Sequence, residues 1–160
     1  MNHFQPKTIQ HSKTIKTEMV KPPDTNQHDT LFGGRVMALI DEAAAICSTR
    51  HCGFPTVTAS LDYIHFLNPS YVGDILTLEA YVVWTGKTSM EVKVSVHSED
   101  KITGEKKLTT RSMLTMVAID EHGRPAEVPP VLPETEEEVE WQKLAYELRK
   151  ERKAQKGRFL

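Results

Sequence analysis

Residues 35–52 constrain the fold of this chain more than any other part of its sequence. Their Ala, Leu, Met and Glu content favours a helix, which Gly33 and Gly34 introduce and Gly53 ends. The helix is nearly apolar all round, and a helix without a polar face has to be covered by other elements. We therefore expect it to be enclosed by a sheet formed from the residues that follow it.

The segments after the helix alternate between apolar and polar side chains with a period of two, which is typical of half-buried strands. A shorter alternating run precedes the helix and ends at a Pro-Pro break. The links between the later segments are short and rich in turn residues, so they favour antiparallel pairing. The predicted strands cover residues 14–20, 56–66, 74–84, 90–96 and 108–119.

One helix followed by antiparallel strands belongs to the α+β class, and 160 residues suffice for one ordinary domain. The element order predicts a single hotdog domain at 13–133, in which an antiparallel sheet of about five strands wraps around one long central helix. We expect residues 1–12 to be flexible and residues 134–160 to form a charged C-terminal helix. Its predicted docking stripe is Trp141, Leu144, Tyr146 and Leu148.

Composition excludes several classes of function. With 20 Lys and Arg against 22 Asp and Glu, the net charge is −2, so no overall basic field draws the chain onto nucleic acid or an anionic membrane. The longest apolar stretch, residues 36–47, is shorter than the roughly 20 residues of a membrane span. No apolar signal segment opens the chain, so we expect a cytoplasmic protein. Two cysteines and no paired metal-binding motif predict free thiols and no metal site.

Asp41 is the residue that points most directly to chemistry. A carboxylate inside an apolar helix costs several kcal/mol to bury unless it is paired or hydrogen-bonded. One interpretation is structural: Asp41 or Glu42 lies at a solvent-facing edge, or pairs with Arg35 or Arg50. Asp41 has no obvious partner at a helical spacing, which moves the interpretation toward function.

Phe32, Gly33 and Gly34 lie where the predicted helix begins. Free backbone N–H groups and the positive end of the helix dipole can bind a carbonyl oxygen or an anion there, and glycine lets a ligand approach the backbone. A plain turn is the alternative. Together with Asp41 two turns later, the segment supplies an oxyanion donor and a carboxylate, two of the parts that acyl transfer needs.

Four stretches carry a resemblance to a known family: 25–52, 57–74, 84–92 and 107–119, followed by Val128-Pro129-Pro130. They resemble the cytosolic acyl-CoA hydrolases of the hotdog superfamily, over roughly residues 12–150. The resemblance implies hydrolysis of fatty acyl-CoA to free fatty acid and CoA, without a cofactor because coenzyme A is part of the substrate. It also implies a homodimer with active sites shared across its interface, commonly assembled into a hexamer as a trimer of dimers.

The resemblance also assigns roles to individual residues. The helix aspartate, here Asp41, acts as general base for water or attacks directly as a nucleophile. The glycine that opens the helix, Gly34 with Gly33 beside it, polarises the thioester carbonyl. Several relatives have Asn or Asp three positions before the first glycine, where this chain has Thr30, and Asn26 is the nearest amide.

Further candidates concern substrate binding. The apolar face of the helix with Tyr63 and Phe66 is expected to line an acyl channel, although aromatic residues in strands are by default ordinary core, and Phe32 at the helix start is a further substrate-binding candidate. A tight turn with one lysine and two hydroxyls is suited to phosphate groups, and an arginine adds another positive charge. A solvated turn is the alternative for its lysine. The candidates for the phosphates of CoA are Lys87, Thr88, Ser89 and Arg111.

Three other functions stand as alternatives to a thioesterase. A non-catalytic acyl-CoA or lipid sensor on the same fold would keep the pocket and normally carry a DNA-binding appendage, but no helix-turn-helix is visible. A hotdog dehydratase generally uses a histidine near the helix, and the candidate His51 lies at its far end. An interaction protein would use the charged C-terminal helix, whose charge run is typical of a solvated face.

Overall fold

An antiparallel sheet packs against one long helix in the computed structural model of the chain, which describes residues 4–158. The elements, in chain order, are β1 (Lys7–Thr8), β2 (Thr14–Met19), α1 (Gly33–Cys52), β3 (Thr56–Phe66), β4 (Ile75–Thr85), β5 (Ser89–Glu99), β6 (Lys106–Ala118), β7 (Val131–Leu132) and α2 (Glu136–Gln155). Within the described residues, five strands form the main sheet in the order β2-β4-β5-β6-β3, and β1 pairs with β7 separately. The predicted α+β fold of a single hotdog domain is confirmed, and the ends of the five predicted strands differ from the observed ones by at most three residues.

The sheet covers only one face of α1. Leu39, Ile40 and Ala43 are fully buried on that face, against the side chains of β4 and β5 that point the same way. Met37 and Ile46, at the two margins of this face, are 40% and 43% exposed, and the side chains between them on the far side of the helix are exposed or half-buried. The prediction that the sheet encloses the whole helix is therefore wrong for one chain, because a single sheet reaches only the side of the helix that it faces.

β3 is an irregular edge strand of the sheet. Among residues 4–158 it pairs only with β6, and its register shifts between Thr58 and Ser60 and again between Leu61 and Tyr63. Such bulges bend a strand and re-aim the side chains beside them. Leu61 is 37% exposed although it is apolar, and the other edge of β3 is open.

α2 lies on the face of the sheet that is remote from α1. The helix begins after Thr135, whose hydroxyl accepts a hydrogen bond from the N–H of Glu138 at 3.1 Å. Trp141 packs against Tyr81 of β4 with ring centroids 5.3 Å apart, and Ala145, one turn later, is fully buried. The predicted docking stripe is correct for Trp141 and Leu148 and wrong for the exposed Leu144, because the packed residues recur at 141, 145 and 148. Tyr146 also contacts the sheet, with its ring centroid 6.3 Å from that of Trp84, although 47% of its surface is exposed.

The predicted flexible segment 1–12 begins outside the described residues, which exclude 1–3. Its second half contains β1 and a turn of 3-10 helix at Ile9–Ser12, in which the side chain of Ile9 is fully buried. Between residues 4 and 158, no helix has both the length and the apolar character that crossing a membrane requires.

Candidate active site

Asp41 lies on the exposed face of α1, beside β3. Oγ1 of Thr58 donates a hydrogen bond to Oδ1 of Asp41, and the first bulge of β3 follows Thr58 directly. Oδ2 of Asp41 accepts no hydrogen bond from residues 4–158, and Asp41 is exposed. The carboxylate is thus oriented through one oxygen and can accept a proton through the other.

Glu42, the neighbouring carboxylate, has a different environment. Nζ of Lys16 donates a hydrogen bond to Oε2 of Glu42, and this bond holds the pKa of Glu42 below its ordinary value. Arg35 pairs with two other carboxylates, and Arg50 donates to oxygens at the start of β2. Neither arginine therefore pairs with Asp41, which leaves its carboxylate available for chemistry.

The N-terminus of α1 is open and flanked by two aromatic rings. Phe32 is the N-cap residue and its side chain provides no cap, so the first N–H groups of the helix point outward. A Cβ on Gly33 would approach Cζ of Phe66 to 3.4 Å, and a Cβ on Gly34 would collide with the ring of Phe32. Glycine therefore keeps the donors at Gly33 and Gly34 accessible between the rings.

A cleft of about 330 Å³ opens beside this helix end. That volume is within the range of small-molecule sites, and its walls combine apolar side chains with a few hydroxyls. Phe66 lines the cleft, whereas Tyr63 and Phe32 are not among its lining residues, and 56% of the surface of Phe32 is exposed. The lining includes Thr30, Gly33, Val36, Phe66, Asn68 and Thr110.

Asn26 and Thr30 belong to one hydrogen-bonded loop. Nδ2 of Asn26 donates to Oγ1 of Thr30 at 3.0 Å, and Oδ1 of Asn26 accepts from the N–H of His28 at 2.8 Å. Asp29 in the same loop has a left-handed backbone with φ of 58°. The structure therefore brings the two candidates into contact, and of the two only Thr30 lines the cleft.

The four residues predicted to bind the phosphates of CoA do not lie together in the structure. Lys87, next to Thr88, is 80% exposed, and Ser89 at the start of β5 lines a second cleft under α2. Arg111 of β6 instead lies opposite Ser95, about 20 Å along β5 from Ser89 at the usual rise per residue. Arg111 therefore does not belong to the same group as the turn residues.

Other groups that could do chemistry are placed in structural positions. His51 is fully buried, its Nε2 lies 2.8 Å from the carbonyl oxygen of Pro129, and burial lowers its pKa. Burial also raises the pKa of Cys47 to about 12, which makes this thiol a poor nucleophile. Across the described part of the chain, no three His, Cys, Asp or Glu side chains are grouped to hold a metal ion.

Thr58 is the site residue that sequence reasoning missed. The alternation of residues 56–66 assigns it to the polar face of a regular strand, and a regular strand gives no reason to associate it with Asp41. The contact depends on the bulge that follows it. No simple pattern of residue types in β3 predicts such a bulge.

Replacing Thr58 by Val is expected to lower kcat about tenfold for the acyl-CoA hydrolysis that the resemblance implies, with little change in KM, because the hydrogen bond that orients Asp41 is lost. The Ser variant keeps the hydroxyl and serves as the matched control, with kcat within about twofold of wild type. Steady-state kinetics on both variants test this role. A Val variant as active as the Ser variant would remove Thr58 from the site.

Comparison with known proteins places these residues in context. Residues 28–105 match the thioesterase superfamily. The uncharacterized acyl-CoA thioester hydrolase YkhA of Bacillus subtilis is 50% identical over 145 residues, which cover 91% of this chain and 84% of that protein. The apo structure of a hexameric acyl-CoA thioesterase superposes with a TM-score of 0.92 and 49% identity, covering 95% of this chain and 97% of the other.

An acyl-CoA hydrolase from Staphylococcus aureus has been solved in complex with butyryl coenzyme A, coenzyme A and coenzyme A disulfide. It superposes on this chain with a TM-score of 0.87 and 43% identity, and the match covers 93% of this chain and 91% of the hydrolase. Alanine variants of that hydrolase at an asparagine, an aspartate and a threonine have also been solved. The intervals between those three positions equal the intervals between Asn26, Asp41 and Thr58 in this chain.

Proposed function

Since the chain belongs to the thioesterase superfamily and is an acyl-CoA thioester hydrolase, we propose that its substrates are fatty acyl-CoAs, which it cleaves to free fatty acid and CoA. The observation that carries the proposal is the Asp41 carboxylate, held by Thr58 on one oxygen and open on the other. The apolar part of the cleft beside Phe66 and Val36 supports an acyl chain as the ligand. The reaction needs no cofactor, because a thioester is already an activated acyl group.

In this mechanism Asp41 removes a proton from water, and the resulting hydroxide attacks the thioester carbonyl. The N–H of Gly34, at the positive end of α1, donates to the oxyanion of the tetrahedral intermediate. Collapse of the intermediate breaks the C–S bond, and the proton held by Asp41 passes to the departing CoA thiolate. Direct attack by Asp41 through an anhydride uses the same residue in the same place.

The two halves of this machinery belong to different chains. Gly34 and Asp41 are two turns apart on α1, about 10 Å along its axis. A general base has to lie within about 3 Å of the proton it takes, or one water molecule further. This separation, with Asp41 exposed and Gly34 half-buried at the surface of one chain, favours an active site that combines Gly34 of one chain with Asp41 of a second copy.

A homodimer has the surfaces that this arrangement requires. The open edge of β3 carries Val57 and Leu61, and Met37 lies one turn before Asp41 on the same side of α1; these three apolar side chains are 37% to 45% exposed. Pairing of two such faces would cover the second side of each helix and enclose Asp41. A hexamer built from three such dimers is the assembly we propose, in line with the hexameric relative.

Thiol release from saturated acyl-CoAs of two to eighteen carbons tests the function directly. We expect turnover by the oligomeric protein, with kcat/KM rising with chain length as more apolar surface enters the cleft. Light scattering on the same sample reports the assembly. Binding of acyl-CoA without thiol release would mean that the protein is an acyl-CoA sensor and not an enzyme. A fully active monomer would contradict an active site shared between two chains.

A further inference from the structure

A second cleft, of about 470 Å³, lies between the C-terminal half of α2 and the sheet. The thioester chemistry proposed for Asp41 does not use it. On one side it is lined by cations of α2, and on the other by side chains of β3, β5 and β6. This surface, the α2 cleft, includes Ser60, Ser89, Thr115, Arg149, Lys153 and Lys156.

The cations of α2 differ in how they are neutralised. Lys143 and Lys150, which lie outside the α2 cleft, pair with glutamates one turn earlier at 2.8 and 3.6 Å. Arg149, Lys153 and Lys156 line the cleft and form no ion pair with residues 4–158. The cleft therefore has an excess of positive charge that the rest of the described chain does not compensate.

Arg149 and Ser89 connect the cleft to the turn between β4 and β5. The guanidinium of Arg149 lies 4.6 Å from the ring centroid of Trp84 at the end of β4, a stacking arrangement that fixes the charge near the turn. Ser89, two residues after Lys87, contributes a hydroxyl to the same cleft. The guanidinium of Arg149, the ammonium groups of the two lysines and the hydroxyl of Ser89 are all donors that bind phosphate oxygens.

Arg152 joins α2 to the sheet at the back of the α2 cleft. Its Nη2 donates to Oε1 of Glu91 at 2.9 Å and its Nη1 donates to a carboxylate oxygen of Asp62, while Thr115 donates to the second oxygen of Glu91 at 2.8 Å. The two carboxylates at the back of the cleft are thus occupied by Arg152 and Thr115. The charge of Arg152 is used within the chain, and the second carboxylate offsets one of the three other cations, which leaves an excess of positive charge for a ligand.

We infer that the α2 cleft binds a phosphate-bearing nucleotide group, either the nucleotide end of the CoA thioester or a free nucleotide. The first source rests on the proposed function. Ser60 lies two residues after Thr58, about 7 Å along β3, so the cleft is adjacent to the strand that orients Asp41. Binding through exposed cations weakens as salt rises, which gives the interaction a second signature.

Two double variants with the same change of charge test this site. K153M/K156M removes cations of the cleft, and K143M/K150M removes two from outside it on the same helix. Calorimetry with adenosine 3′,5′-bisphosphate is expected to show wild-type affinity for K143M/K150M and about tenfold weaker binding for K153M/K156M. Inorganic phosphate and ADP, as further probes, report how much of the affinity the phosphates supply.

Kinetics separate the two sources of the nucleotide. If the nucleotide end of the substrate occupies the cleft, K153M/K156M raises KM for acyl-CoA about tenfold and leaves KM for the matching acyl-pantetheine unchanged. Adenosine 3′,5′-bisphosphate then inhibits hydrolysis competitively with acyl-CoA. If the bisphosphate instead inhibits non-competitively against acyl-CoA, and K153M/K156M still binds the bisphosphate about tenfold more weakly, the cleft binds a free nucleotide. Equal affinity in both double variants, or no binding to wild type, overturns the site. Binding without thiol release would instead leave the site intact and overturn the proposed function.

Discussion

Replacing Asp41 by Asn is expected to lower kcat for acyl-CoA hydrolysis by about a hundredfold or more, the size typical of losing a general base. The amide has the same shape, and its oxygen still accepts the hydrogen bond from Thr58, so the geometry is retained while proton acceptance is lost. Thiol release under single-turnover conditions measures the loss. Label from ¹⁸O water in the Asp41 carboxylate of the wild type would identify an anhydride that water opens at the Asp41 carbonyl, because a general base does not exchange its oxygens.

Glu42 offers the matched control on the adjacent helix position. It is exposed and paired with Lys16, so Glu42→Gln removes an equal charge from the same helix and is expected to change kcat by less than about twofold. Light scattering confirms that both variants keep the wild-type assembly. Activity that survives in Asp41→Asn but is lost in Glu42→Gln would transfer the role of base to Glu42.

Replacing Arg152 by Met is expected to lower the free energy of unfolding by about 3–5 kcal/mol, because Glu91 is left as an unpaired buried charge. The side chain of Glu91 is 0% exposed, and that of its neighbour Asp62 is 5% exposed. Urea denaturation at one fixed protein concentration measures the change, since assembly contributes to stability. The double variant with Glu91→Gln is expected to recover part of the loss.

The pH dependence gives an independent test of the same charge. Burial raises the pKa of Glu91 above its ordinary value of 4.5, so the folded chain holds its proton to higher pH than the unfolded chain does. The stability from that proton is present below the unfolded pKa and is lost as pH rises through the folded pKa. The deficit of Arg152→Met should therefore shrink when pH is lowered from about 7.5 to about 5. A deficit independent of pH would mean that lost packing, and not the charge of Glu91, destabilises the variant.

Local patterns predicted most of the fold. Period-two alternation located the strands, and the glycines at 33, 34 and 53 bounded α1 to within two residues, because both signals depend on residues close in sequence. Asp41 stood out for the same reason, as a carboxylate within an apolar run. These features need no knowledge of which elements pair.

Features that depend on long-range packing were not predicted. The bond from Thr58 to Asp41 requires a bulge, and the contacts of Arg152 with Glu91 and Asp62 join residues 61 and 90 positions apart. The separation of Arg111 from Ser89 follows from the pairing register of β5 and β6. The exposed side of α1 does not follow from the apolar pattern, because that pattern shows that a helix needs cover and not whether the cover comes from its own chain.

The contact between α2 and the sheet has a spectroscopic consequence. The chain has two tryptophans, and both lie there: Trp141 is packed against Tyr81 with the ammonium of Lys93 at 4.5 Å from its ring centroid, and Trp84 lies under the guanidinium of Arg149. Intrinsic tryptophan fluorescence therefore reports on this one contact. Detachment of α2 would shift the tryptophan emission to longer wavelength, while the core around α1 contributes no tryptophan signal of its own.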